Sequence, residues 1–189
     1  MRLARFHTQN DVADWNTLHH TFTTANALHQ SLLRRPTADA SRGLLHGALR
    51  VHLDRFLSVP AARMPALPDT TLDDLAACWQ RQGDVDRAGG IVRNAILTVT
   101  PQADVVGALT RAVLAEDAGF HWYQIVEAAS RQAAGWPEGS IEAATVLAGA
   151  ARFLAAHTPT RRELPTVIRT AVRLRRGDDL FDADAAVSA

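Results

Sequence analysis

Apolar residues recur every three to four positions along most of this chain, and proline or glycine interrupts the pattern at short intervals. Such spacing is typical of helices that bury one face. No segment shows the sustained alternation of apolar and polar residues, rich in β-branched side chains, that a half-buried strand would require. The pattern therefore predicts an all-α protein, a single-domain bundle of about seven helices with short connections.

The length of 189 residues fits one domain with a substantial core. We expect a helical domain over residues 1–177, followed by an acidic tail over residues 178–189. The last predicted helix carries a basic stripe formed by Arg169, Arg173 and Arg176. Three alternatives remain open for the tail: it folds back on this stripe, docks a partner, or is disordered.

The charge balance and the distribution of apolar residues exclude several classes of protein. Twenty Lys and Arg residues balance twenty Asp and Glu residues, so no net field attracts nucleic acid or an anionic membrane. No run of about 18 apolar residues predicts a membrane span, and no apolar run after the N-terminal charges predicts a signal peptide. The single Cys78 excludes an internal disulfide. These features predict a cytoplasmic protein.

The longest helical pattern covers residues 102–134 and predicts one long central helix. Its apolar residues occur on nearly all sides, which indicates a helix surrounded by others. Bulky apolar residues within this pattern also lie close to Glu116, Asp117 and His121. This stretch is therefore the first candidate for a functional site, although no motif in the chain identifies a reaction.

A carboxylate buried in this helix must be paired, hydrogen-bonded, metal-bound or protonated. Glu116 has no cationic residue four positions away on its own helix, so either its partner comes from another helix or it is functional. Asp117 and His121 are four residues apart and can bond to each other or share a ligand. Glu127 has the spacing of an ion pair with Arg131.

Two further histidines fall on helices with a clear apolar stripe. His29 lies at the centre of the stripe of the first helix, so we expect it to be buried. There it is either a hydrogen-bonded core histidine or a ligand. His19 lies at the edge of the same stripe, whereas His20 points away from it and is expected to be solvated. His46 flanks the apolar face of the second helix.

Two hypotheses of function follow from these residues. In the first, the protein is a helical metalloprotein or oxidoreductase in which His29, His46, His121, Glu116 and Asp117 converge on one metal ion, with iron expected. A mononuclear site is favoured, because the paired Glu-x-x-His signature of carboxylate di-iron bundles is absent. In the second hypothesis, the protein is a noncatalytic accessory or interaction domain for a redox partner protein.

Five blocks of sequence, at 23–30, 45–48, 53–57, 116–121 and 155–162, together resemble uncharacterised bacterial helical domains. We associate these domains with Rieske-type iron–sulfur proteins and with the questin oxidase-like group. The resemblance implies a helical fold and a redox context, but it identifies no catalytic residue. This chain lacks the paired cysteines of a Rieske centre, so any such cluster would belong to another chain or domain.

Overall fold

The computed structural model describes residues 2–7, 12–57, 61, 70–98 and 100–178, and within these ranges it contains helices and no β-strand. The prediction of an all-α protein is confirmed. The α-helices are α1 Val12–Arg34, α2 Ala38–Leu53, α3 Leu75–Cys78, α4 Val85–Leu97, α5 Gln102–Leu114, α6 Phe120–Ala133, α7 Ile141–His157 and α8 Glu163–Arg176. Short 3-10 turns occur at Leu3–Arg5, Asp54–Phe56 and Leu72–Asp74.

The centre of the fold is α7, which packs against α1, α4, α5 and α6 and against the N-terminal turn. The helix begins where the Ser140 side chain accepts a hydrogen bond of 3.2 Å from the Ala143 amide. Alanine and glycine cover most of its sides, which lets neighbouring helices approach closely. At Gly89 of α4, an added Cβ would lie 2.6 Å from Cγ of Arg152. The small residues of α7 therefore allow α4 to pack closely against it.

One arginine is fully buried in this centre and ties the N-terminal turn to it. The Arg152 guanidinium donates hydrogen bonds to the backbone carbonyls of Leu3 and Phe6 and pairs with the carboxylate of Asp86. Phe6 in turn packs its ring edge-on against Trp15 of α1. The segment at residues 3–6 is therefore part of the core.

The prediction of one long helix over residues 102–134 is wrong. The chain forms α5 and α6 instead, separated by a turn at residues 115–119. The two helices pack against each other and against α7, and each has its own buried stripe. The buried stripe of α6 would lie on the opposite side from that of α5 if both were drawn on one continuous helix. Residues 102–134 therefore show apolar residues on all sides when they are read as a single helix. The break places Glu116 and Asp117 in a turn, where their carboxylates bind the connection between α7 and α8.

Helix α8 lies at the periphery and has no buried residue. Leu164, Val167, Ile168 and Leu174 on this helix are each more than half exposed. Helix α2 also lacks buried residues, but it packs on α1, where Gly43 approaches the Leu28 side chain. None of the helices in the described ranges combines the length and apolar character needed to cross a membrane. Residues 179–189 of the predicted acidic tail lie outside the described residues.

Candidate metal centre

The structure separates the five side chains that the sequence suggested as metal ligands. His29 is exposed, so the prediction that it is buried is wrong. Its Nδ1 lies 3.0 Å from the Nε2 of Gln132, at the edge of the contact between α1 and α6. His46 is exposed on α2 and faces a groove that it shares with His20 of α1.

Glu116 is buried, and its partner comes from another element, as one of the two sequence alternatives required. Its carboxylate accepts hydrogen bonds from Arg162 Nε at 2.8 Å, from the Thr160 amide at 2.8 Å and from the Thr160 hydroxyl at 2.7 Å. Burial alone would raise the pKa of Glu116, but the bonds from Arg162 and Thr160 outweigh it and lower that pKa. Glu116 is therefore an ionised structural anchor for the segment before α8.

Asp117 caps the start of α8. Its two carboxylate oxygens accept hydrogen bonds from the Glu163 amide at 3.0 Å and from the Leu164 amide at 2.7 Å, two of the donors that a helix N-terminus leaves unsatisfied. The carboxylate is thus engaged by α8, and His121 lies with other histidines. The structure does not bring the predicted ligands together as one set.

A different group of three histidines comes together where α1 meets the first turn of α6. His19, His20 and His121 each offer a ring nitrogen, and these nitrogens all lie within 4.8 Å of one another. Among the described residues, no other set of three or more His, Cys, Asp or Glu side chains is grouped in this way. His19 is fully buried, His121 is half-buried and His20 is exposed, so the cluster leads from the core to the surface.

A backbone hydrogen bond fixes the tautomer of the innermost histidine. The Nε2 of His19 lies 2.9 Å from the carbonyl oxygen of His121, and because a carbonyl only accepts, Nε2 carries the proton. The Nδ1 of His19 then carries a lone pair in the neutral ring. This atom is buried and has no hydrogen-bond partner. A buried acceptor without a partner is costly, and a metal ion is one group that would satisfy it.

Two of the three imidazoles, those of His19 and His20, are held in the neutral form that metal binding requires. Burial, together with repulsion from His121 and His20, lowers the pKa of His19 to about 4. Burial, with repulsion from His121 and Arg50, also lowers the pKa of His20. At neutral pH both imidazoles therefore keep a lone pair available, so no proton has to leave before a metal binds.

Aromatic side chains pack against the side of the cluster that faces the core. The Phe153 ring of α7 stacks on His19 with ring centroids 4.9 Å apart, and its other neighbour is His157 at 4.3 Å. His157 donates from Nδ1 to the Phe153 carbonyl at 2.7 Å, which leaves its Nε2 buried without a partner. Burial lowers the pKa of His157. A pocket of about 230 Å³ opens between His157, Trp122 and His121.

Three imidazoles are a donor set that suits a first-row divalent metal ion. Metal–nitrogen bonds of about 2.0–2.1 Å place the ligand nitrogens of a tetrahedral centre roughly 3.3 Å apart. The nitrogens of this cluster lie within 4.8 Å of one another, so they would have to move closer by up to about 1.5 Å when an ion binds.

Sequence reasoning found His121 but missed its two partners on α1. His20 was expected to be solvated, and it is indeed exposed. His19 was placed at the edge of the apolar stripe, although it is fully buried. The adjacency of two histidines in one helix was the signal available, but only the turn at 115–119 brings His121 to them.

Comparison of the chain with protein-family models, with curated proteins and with solved structures gives no match. The resemblance to helical domains of Rieske-type and questin oxidase-like proteins therefore stays a prediction.

Proposed function

We propose that the protein binds a divalent transition-metal ion through His19, His20 and His121. The observation that carries this proposal is the buried Nδ1 of His19, which has a lone pair and no hydrogen-bond partner and lies in a ring packed beside two further imidazoles. A purely structural histidine would normally use both of its ring nitrogens when it is buried.

The donor set favours zinc over the iron expected from the sequence. Mononuclear iron sites commonly combine two histidines with one carboxylate, but Glu116 is bound by Arg162 and Asp117 caps α8. Three histidines with one remaining position are a common arrangement around catalytic zinc. An ion held in this way offers that position to water or to a small molecule.

The surroundings of the cluster suit a small, partly apolar molecule. The pocket beside His121 is lined by Phe120, Trp122 and Phe153 and also by His157, whose Nε2 is buried without a hydrogen-bond partner. That nitrogen can accept a hydrogen bond or a proton from a molecule in the pocket, since its neutral form is favoured by burial. His157 would orient such a molecule, with the three-histidine centre beside it.

Metal analysis of protein purified without a histidine tag tests the proposal. We expect about one zinc per chain after dialysis against zinc and removal of the excess. The exposed ligand gives the cleanest variant, because His20→Ala should not disturb the core. His20→Ala and His19→Ala should each lose most of the metal, whereas the matched control His29→Ala should retain it.

Cobalt(II) gives a second readout that does not depend on activity. Cobalt bound by three nitrogens and water should give intense visible absorption bands typical of a tetrahedral site, and these should vanish in His20→Ala. Metal content below about 0.1 per chain in the wild type, or equal metal content in His20→Ala and His29→Ala, would contradict the proposal.

A second candidate function, an accessory domain for a redox partner, is supported by α8. This helix exposes Leu164, Val167 and Ile168 on one side, and Arg169 and Arg173 lie on the other. An exposed apolar stripe flanked by arginines suits a partner with an apolar groove and an acidic rim.

A photo-crosslinking residue placed at Val167 in growing cells tests this second function. Crosslinks to an acidic electron-transfer protein would support it, with the same residue placed at the exposed Arg111 of α5 as the control. Crosslinks only between copies of this chain, or none, would contradict it.

A further inference from the structure

A large cavity lies away from the histidine cluster and is used by neither proposed function. It has a volume of about 590 Å³ and lies between the N-terminal turn, α1 and the end of α2. Leu3, Leu18, Phe22, Ala25 and Val51 form much of its wall, which is mainly apolar. Cavities of roughly 300–1,000 Å³ with apolar walls and a few polar groups are typical of small-molecule sites.

The polar groups at this cavity are mainly cationic. Arg2, Arg5 and Arg55 contribute to its lining, against one carboxylate, that of Asp54. Asp54 is itself buried, and its side chain accepts a hydrogen bond from Thr21 and lies 3.4 Å from Nε of Arg50. The negative charge is thus already compensated, and Arg2 and Arg55 add positive charge to the lining.

Backbone contacts hold two of these guanidinium groups in place. Nη1 of Arg2 donates to the Asp54 carbonyl at 2.6 Å. Nη1 of Arg55 donates to the His52 carbonyl at 2.8 Å, and its guanidinium lies 4.0 Å from the centre of the Phe56 ring. Neither Arg2 nor Arg55 forms an ion pair with a carboxylate of the described residues, so donors remain at both groups.

We propose that this cavity binds an amphipathic carboxylate, a molecule with an unbranched apolar chain and a single anionic end. The apolar chain would occupy the space beside Leu18, Phe22 and Val51, and the carboxylate would accept hydrogen bonds from Arg2 and Arg55 at the mouth. The fork of an arginine matches both oxygens of a carboxylate, which makes arginine well suited to this recognition. An uncharged molecule of the same length would gain only the apolar contacts.

Isothermal titration with sodium decanoate, below its micelle concentration and with a chelator present, tests this proposal. The chelator makes the result independent of the metal centre. We expect saturable binding with one site per chain. We also expect an affinity roughly tenfold higher than for 1-decanol, since the alcohol lacks the charge-assisted bonds. Decyltrimethylammonium should bind more weakly still, because the arginines repel its positive charge.

Two kinds of variant distinguish the contribution of the arginine charge to binding from that of the apolar cavity. Arg55→Gln should weaken decanoate binding roughly tenfold while leaving decanol binding unchanged. Ala25→Trp should block both ligands by filling the cavity, and Ala25 is exposed enough to accept the change. The matched control is Ala27→Trp, since Ala27 is exposed on the same helix but does not line this cavity.

Circular dichroism confirms that each variant is folded, and Val51→Trp replaces Ala25→Trp if the latter unfolds. Absence of saturable binding, equal affinity for all three ligands, or unchanged binding in the cavity-filling variant would each overturn the proposal.

Discussion

Because His19 is buried and neutral, the free energy of unfolding should depend on pH. One substitution at this position measures that dependence. In the unfolded chain this imidazole has a pKa of 6.5, and in the native state burial and its histidine neighbours lower the pKa to about 4. Between these values the unfolded state binds more protons than the native state. Stability conferred by the neutral ring is therefore present above pH 6.5 and is lost as the pH falls towards 4.

The size of the effect follows from the two pKa values. At pH 5 the His19 imidazole of the unfolded chain is almost fully protonated, while the native imidazole remains nearly neutral. The difference amounts to about 2 kcal/mol of unfolding free energy lost between pH 7.5 and pH 5. His20, His121 and His157 face His19 and are present in both wild type and variant, so the comparison reports the change at position 19.

The variant is His19→Gln, whose amide can still donate to the His121 carbonyl but does not titrate. Urea unfolding followed by far-ultraviolet circular dichroism, with a chelator present, measures both proteins at pH 7.5, 6 and 5. The wild type should lose about 2 kcal/mol more than His19→Gln over this range. The exposed His29→Gln serves as the control and should follow the wild type.

Parallel loss of stability in wild type and His19→Gln would refute the reasoning. It would mean that the His19 ring is charged or solvated in the native state. The three-histidine centre would then lack its neutral inner ligand, and the proposal of metal binding would weaken with it.

Two further predictions concern contacts that hold the bundle together. Glu116→Gln should destabilise the protein by about 2–4 kcal/mol, because it leaves Arg162 facing a neutral amide at a buried position. Glu127→Gln, which breaks an exposed pair with Arg131 at 3.3 Å, should change stability by no more than about 1 kcal/mol; equal losses in urea titrations of the two variants would contradict this contrast. Gly89→Ala should lower stability by about 1–3 kcal/mol, since the new methyl group overlaps the stem of a buried arginine; an unchanged melting temperature would show that α4 and α7 can separate at little cost.

The sequence predicted the class of fold because helical periodicity and turn residues are local signals. The same signals placed His29 on the first helix, His46 on the second and Arg169 on the last, and the structure has these residues in α1, α2 and α8. They also predicted the ion pair between Glu127 and Arg131. Each of these features depends on residues within a few positions of one another in the chain.

The break between α5 and α6 could not be read in the same way. Residues 115–119 contain no proline, and apolar residues follow on both sides of them, so a shift of the buried stripe between α5 and α6 looks like one helix that is apolar on all sides. The turn is stabilised by contacts of Glu116 and Asp117 with the chain more than forty positions later, at Thr160 and Leu164. Only that long-range bonding decides that the carboxylates anchor α8 and that His121 meets α1.

The candidate centre shows the same limit. Helical spacing on one helix can reveal a pair of ligands three or four residues apart, as in many zinc sites. Here two ligands are adjacent on α1 and the third comes from a helix about a hundred residues later. No periodicity links such positions, so the sequence identified one of the three residues as a ligand.

The buried guanidinium of Arg152 has a consequence for the order in which the chain can fold. It joins carbonyls at residues 3 and 6 to a side chain about 150 positions later, which is the kind of contact that slows folding because a long loop must close first. During synthesis, Leu3 and Phe6 must wait for most of the chain to leave the ribosome before their final partner exists. Leu3 and Phe6 therefore lack this partner for longer than residues whose contacts are local, and a chaperone that binds exposed apolar side chains would meet them in that interval.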